Sequence, residues 1–421
     1  LNIVICDDER SRRDGWKDRL ESLLGAEHSV ELLDDDFKES FHELTGRREG
    51  ARRLRAGAEG LAVDELPEED DWGKTTAFDH ADVLLVDYDL FEFQPTEYLT
   101  GAIVAYMARC YSGCGVIVGV NELGRNPFDL TLIDNTSSFA DLTIGDMQLD
   151  NPGLWHGTNE GSSSGPFRPW CWPALIDAAE RQARRSEEVL GHLDRHVLEF
   201  TGLTPVKDHL PRSSIGWLER AGETEKLTSL EDLARGGRLG YRRGDEAPSH
   251  RALARVAAAR VAKWMETAVL PLQDVLIDAP HLIQRNAALL DVENFEDPSE
   301  LEGADWNVTT RIPAAPEGCG LRAEVLPHKY IAPDWLSRPT FYWPKINTTG
   351  ELPGVDAPYR VPVVDRVFCE DLSAFLPRNE ARRFVSKLDS SAPTRWIADP
   401  ETSGHRELAE VDYQPMTRLA M

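Results

Sequence analysis

Val83-Leu84-Leu85-Val86 is an unbroken apolar run that passes directly into Asp87-Tyr88-Asp89. A short continuous apolar run reads as a strand buried on both faces, of the kind found in parallel sheets. Few architectures accept such a strand, because it needs strands at both sides and helices above and below. In open α/β sheets ligands bind beyond the carboxyl ends of the strands, so Asp87 stands where chemistry is expected. A second run of this kind opens the chain, Ile3-Val4-Ile5-Cys6, and ends in Asp7-Asp8-Glu9. If the two strands are neighbours, Asp7, Asp8 and Asp87 converge on one small negative pocket. The natural occupant of such a pocket is a hard divalent cation such as Mg²⁺, held by carboxylate oxygens and water. Three converging acids without a counter-charge would destabilise the fold, so a cation or an Arg partner is expected beside them.

The flanking sequence supplies the remaining parts of a parallel layer. Trp16, Leu20, Leu23 and Leu24 recur at helical spacing over Arg12 to Leu24, and Ser29 to Leu33 reads as a second strand. Phe37, Phe41 and Leu44 mark another helix. The Arg- and Gly-rich stretch from Gly46 to Ala58 and the acidic run from Glu65 to Asp71 then read as an insertion near 45–80. Leu99 to Cys110 is a predicted helix, Gly115 to Val120 a buried strand ending at Asn121, and Ala140 to Ile144 a last short strand. Strands alternating with helices predict a right-handed parallel α/β layer over 1–150.

Residues 151–172 form a Gly/Ser/Pro-rich connector centred on Gly161-Ser162-Ser163-Ser164-Gly165, and its Trp155, Trp170 and Trp172 are expected to pack on the core. Residues 173–292 are expected to be helical. An amphipathic run extends from Pro173 to Phe200, a second from Ser249 to Leu270 before Pro271, and another reaches Leu290. Such helices commonly form a bundle or a surface for homodimerisation. Residues 293–421 change to short alternating stretches at 305–311, 340–346 and 360–368 with a helix over Asn379 to Leu388, a mixed α+β region.

With 421 residues the chain is long for one domain. Its 73 acidic against 46 basic residues give a net charge of −27, which opposes non-specific nucleic-acid binding, since that depends on cationic neutralisation of phosphates. No apolar run approaches the ~20 residues that span a bilayer, and no basic-then-apolar leader opens the sequence; the expected location is cytoplasmic, away from membranes. The six cysteines are scattered, and Cys110 and Cys114, the one close pair, read as buried thiols rather than zinc ligands. His281 and His328, each beside a Pro and apolar neighbours, read as packing residues.

The acidic pair Asp7-Asp8 after the first strand, the lone Asp87 after a later one, and the following strand to Val120 resemble the receiver domain of two-component response regulators. The resemblance covers residues 1–150. It implies a flavodoxin-like parallel sheet, Mg²⁺ held by Asp7, Asp8 and Asp87, phosphoryl transfer to Asp87, and a histidine kinase or other signalling protein as partner. That chemistry is physically sensible, because phosphoryl transfer needs an exposed carboxylate nucleophile and a cation to offset charge on the transferring oxygens. The family places Ser or Thr after the fourth strand; here Asn121 is the one donor and occupies the switch position. The family also has Lys after the fifth strand, where this chain has Ile144 or Gly145, and no lysine lies between Lys74 and Lys207. The separation of Asp8 from Asp87 is about double the usual gap, which the insertion accounts for. These departures point to a pseudo-receiver as readily as to a working phospho-switch.

The residues thus point to a cytoplasmic regulator rather than an enzyme, with a receiver-like domain controlling an uncharacterised C-terminal output region. Two rivals remain. Asp87 and Asp89 with Asp146 and Asp150 resemble the first and last motifs of haloacid-dehalogenase-type phosphohydrolases, Mg²⁺-dependent enzymes in which Asp87 would be the nucleophile. That reading lacks its lysine and leaves Asp7 and Asp8 unexplained. The other rival is a non-enzymatic interaction scaffold.

Overall fold

In a computed structural model, the described residues are 1–34, 36–57, 74–88, 90, 99–121, 138–155, 174–210, 215, 218, 228–235, 249–265, 269, 275–278, 281, 284, 335, 340–342, 366–369, 374–384 and 395–404. Five strands, β1 (Asn2–Cys6), β2 (Ser29–Leu32), β3 (Val83–Asp87), β4 (Val116–Asn121) and β5 (Leu142–Gly145), form one sheet of order β2-β1-β3-β4-β5. Every pairing in it is parallel. This is an α/β layer in the doubly wound strand order of flavodoxin-like folds, which reverses direction between β1 and β3. The register Cys6↔Val86 puts the next residue of each strand, Asp7 and Asp87, side by side.

The strands are apolar throughout because both faces are covered. Ile3, Ile5, Val83, Leu85, Val118 and Val120 face one way, and Val4, Cys6, Leu84, Val86 and Ile117 the other, the two-residue alternation of a pleated strand. The first face packs on α1 (Arg10–Leu24) through Trp16, Leu20 and Leu24. Gly25 ends that helix in a left-handed conformation (φ 75°) that costs glycine little. The second face packs on α2 (Phe37–Gly57), α3 (Ala77–His80) and α4 (Gly101–Tyr111). The stretch from Gly46, read as part of an insertion, continues α2 as far as Gly57.

Beyond β5 come α5 (Pro152–Trp155), α6 (Leu175–Leu190), α7 (Val197–Phe200), α8 (Leu230–Arg235) and α9 (His250–Trp264). Trp155 of the connector is fully buried on the α1 side and donates its indole N–H to the Leu149 carbonyl at 2.7 Å. The connector's centre, 161–165, and Trp170 and Trp172 lie outside the described residues. The run from Pro173 to Phe200 is not one helix. It breaks at Gly191, whose N–H bonds to the Val189 carbonyl, and resumes as α7.

Helix α9 packs against α6, α8 and α4, so that Leu253, Ala257 and Val261 share a single core with Val104 and Met107 of α4. Lys263 of α9 also donates to the Ala140 carbonyl just before β5, at 3.2 Å. The helical region is thus built directly onto the sheet layer. Ser249 caps α9, its hydroxyl accepting from the Ala252 N–H at 3.0 Å. Ser249→Ala should cost ~1 kcal/mol of stability, read as a lower denaturant midpoint at unchanged m-value.

Two expectations for the C-terminal half are corrected. Leu276–Asp278, inside the stretch expected to be helical, is strand β6 and pairs antiparallel with β7 (Thr340–Tyr342); buried Val275-Leu276-Ile277, two of them β-branched, suits a sheet. The expected helix over Asn379 to Leu388 begins as a 3₁₀ turn (Arg378–Glu380) and becomes strand β10 (Ala381–Phe384). Pairing with β11 (Arg395–Ala398) overrides the helical spacing of Ala381 and Phe384 there. With β8 (Arg366–Cys369) and β9 (Ala374–Pro377) these strands form a mixed sheet of order β10-β11-β8-β9. The strand expected at 305–311 lies outside the described residues.

Candidate functional site

Asp7 follows β1, Asp8 begins the turn into α1, and Asp87 is the last residue of β3. Neighbouring parallel strands lie ~4.8 Å apart, so the register alone brings the carboxylates together. One oxygen from each of Asp7, Asp8 and Asp87 lies within 4.8 Å of the other two. The three side chains are almost wholly buried, at 0%, 5% and 2% exposure.

Arg12, on the first turn of α1, fills the space among them. Its Nε donates to Asp7 Oδ2 at 2.6 Å, and its Nη2 donates to Asp7 Oδ1 and to Asp87 Oδ2, each at 2.9 Å. The same Nη2 lies 3.7 Å from Asp8 Oδ1, and Nη1 lies 3.7 Å from Glu9 Oε2. One turn further on, the Trp16 ring lies 5.8 Å below the guanidinium carbon. Asp7 Oδ1 also accepts the Glu9 N–H at 2.8 Å, which shapes the turn into α1. Neighbouring Arg13 is buried too, donating to the carbonyls of Asp7 and Leu33 at 3.3 Å and pairing with Asp34 at 2.8 Å.

Burial is the largest effect on Asp87 and, with the charge on Asp7, raises its pKa to about 7 against the pull of Arg12. Burial likewise raises Asp7, although its bonds to Arg12 and the Glu9 N–H oppose this. The Cys6 thiol, buried beneath the same acids, is pushed well up and stays protonated. Burial, more than repulsion among the acids, is thus what disfavours their charged forms in this pocket.

Carboxylate oxygens are the right donors for Mg²⁺, but the space is wrong while Arg12 holds its place. Mg²⁺ needs oxygens at 2.0–2.1 Å in near-octahedral array, usually with several waters. A position that reaches all three acids is the one Arg12 Nη2 already has. The residues as arranged do not fit a bound Mg²⁺.

Asn121 ends β4 as expected, buried and one strand away from Asp87, with Gly145 opposite it on β5. Asp146 starts a 3₁₀ turn after β5, and Asp150 pairs with Arg19 at 3.8 Å. Strand β4 separates both from Asp87, and neither joins the cluster found among the described residues. Asp89 lies outside the described residues, as does His328. His281 packs edge-on against Phe368, with ring centroids 5.3 Å apart, and Cys110 and Cys114 are buried free thiols.

Arg12 is the site residue that sequence reasoning left unnamed. The need for an Arg partner was legible; which of Arg10, Arg12 and Arg13 would pair with the three carboxylates was not. Only the burial of Trp16, four residues on and on the same helix face, pointed to it.

No family profile, curated protein or solved structure matches this chain.

Proposed function

We propose that the protein is a signal-transduction regulator whose N-terminal α/β layer is a degenerate receiver. The observation that carries this reading is the meeting of Asp7, Asp8 and Asp87 at the carboxyl edge of β1 and β3, in a sheet of order 2-1-3-4-5. Asn121 and Gly145, at the ends of β4 and β5, stand where a phosphoryl switch would need a hydroxyl and an ammonium group. The domain then acts as a conformational module and a docking surface for a signalling protein, without transferring phosphate.

A route from the pocket to the rest of the chain supports the reading. The Tyr88 carbonyl, next to Asp87, accepts the N–H of Gly101, the first residue of α4, at 3.0 Å. Helix α4 in turn packs on α9. On this reading, a change at the acidic edge would reach the helical region through that shared packing.

The test is incubation with Mg²⁺ and either a small acyl phosphate or beryllofluoride, for the native protein and Asp87→Asn. No phosphoryl mass gain and no change in tryptophan fluorescence is the expected result. A mass gain in the native protein that Asp87→Asn lacks would make it a working phospho-switch. Turnover of a generic phosphomonoester, lost in Asp87→Asn, would make it a hydrolase. Regulation itself is read by amide exchange: Asp87→Asn should alter protection in both α4 and α9, and unchanged protection there would leave an inert scaffold.

A further inference from the structure

We infer that Arg12 is the resident cation of the acidic pocket, doing structurally what a divalent metal would otherwise do, so that this domain holds its three acids without metal.

A cation in the first turn of a helix is out of place by the helix's own electrostatics, since the exposed N–H groups there favour anions. Arg12 nevertheless sits on that turn with only 13% of its side chain exposed. Its position is therefore set by the pocket. The guanidinium is planar and presents a fork that matches a carboxylate, and Nε with Nη2 makes that two-pronged contact on Asp7. The second hydrogen of Nη2 is free to reach Asp87, and does so at 2.9 Å. One nitrogen thus joins the end of β1 to the end of β3, at the centre that a bridging ion would occupy. Trp16 backs the guanidinium from the helix side. A lysine ammonium has no such fork and would hold the same acids as a point charge.

The consequence is a site closed to metal in its native form and opened by loss of one side chain. The inference deepens the degenerate-receiver reading, on which its biological meaning rests, but its geometry is independent of that reading. Its test measures metal and the former's test measures phosphate, so either can fail alone.

The experiment titrates the whole protein with Mg²⁺, by calorimetry and by thermal unfolding with and without a chelator, in four forms: native, Arg12→Gln, Arg12→Lys and Arg13→Gln. The native protein should show no binding heat and no shift in Tm on adding Mg²⁺. Arg12→Gln should bind one Mg²⁺ and show a Tm that falls with chelator and recovers with the ion. Arg12→Lys, which keeps a positive charge, should remain indifferent to Mg²⁺. Arg13→Gln removes a buried arginine from the same helix without emptying the pocket. It should lose stability and gain no response to Mg²⁺, which separates the proposed role from simple structural loss. If Arg12→Gln does not fold under either condition, the native titration decides. Stoichiometric Mg²⁺ uptake by the native protein, abolished by Asp87→Asn, would overturn the inference, as would an Arg12→Gln protein that folds and ignores the ion.

Discussion

Asp87→Asn should make the protein more stable at pH 8, by about 2–4 kcal/mol in metal-free buffer, and by less than half as much at pH 5. The sign follows from the raised pKa. An unfolded aspartate titrates near 3.8, whereas Asp87 in the fold titrates at about 7. Between those values the native state holds a proton that the unfolded state has released. Native stability therefore falls as pH rises from about 4 to about 7, by up to ~1 kcal/mol per unit, and levels off above that. Asparagine is nearly the shape of the protonated acid and does not titrate, so the variant should lose this slope. The opposing effect is the loss of the charge that attracts Arg12, and removing one partner of a buried pair is often costly. Here burial and repulsion from Asp7 outweigh that attraction, Arg12 keeps its fork on Asp7, and the Asn carbonyl oxygen can still accept from Nη2. Urea unfolding of both proteins at pH 5 and pH 8 measures the difference. A destabilised Asp87→Asn at pH 8 would mean that the Arg12 pair is net favourable and that the carboxylate is ionised well below neutrality.

The sheet was legible in the sequence because its strands are buried on both sides. Runs such as Ile3 to Cys6 and Val83 to Val86 have no other economical fate, and the acids that end them marked the edge where three carboxylates meet. What the sequence hid was of a different kind. Local spacing could not reveal that Ala381 to Phe384 would be captured by β11, nor that Leu276 to Asp278 would find β7, because those decisions belong to distant partners. The break of the long helix at Gly191 was visible as a glycine, but glycine alone does not say whether a helix bends or stops. The choice of Arg12 over Arg10 depends on the rotation of α1 about its axis once Trp16, Leu20 and Leu24 are buried. Residue type announced the pocket's charge problem, and packing determined which side chain solved it.

The same division applies at the opposite end of the sheet, where Arg109→Met should cost ~3–5 kcal/mol. Arg109 sits in the last turn of α4, where a cation complements the helix C-terminus, and is 1% exposed. Its guanidinium donates to the Gly115 carbonyl at 2.7 Å and to the carboxylate of Asp141. That same Asp141 oxygen accepts the Ile117 N–H at 2.7 Å. Three elements, α4, β4 and the approach to β5, are therefore tied at one point, and the register that sets Asn121 opposite Gly145 depends on it. Methionine fills much of the arginine stem's volume but leaves Asp141 a largely buried charge with only one backbone donor. The stranded carboxylate, rather than lost packing, should dominate the penalty. Arg109→Met combined with Asp141→Asn separates the two causes, because asparagine can still accept from Ile117 without a charge. The double variant should recover at least half of the loss in guanidinium unfolding. If it proves as unstable as the sum of the two single changes, the arginine's contribution is packing and the ion pair is incidental.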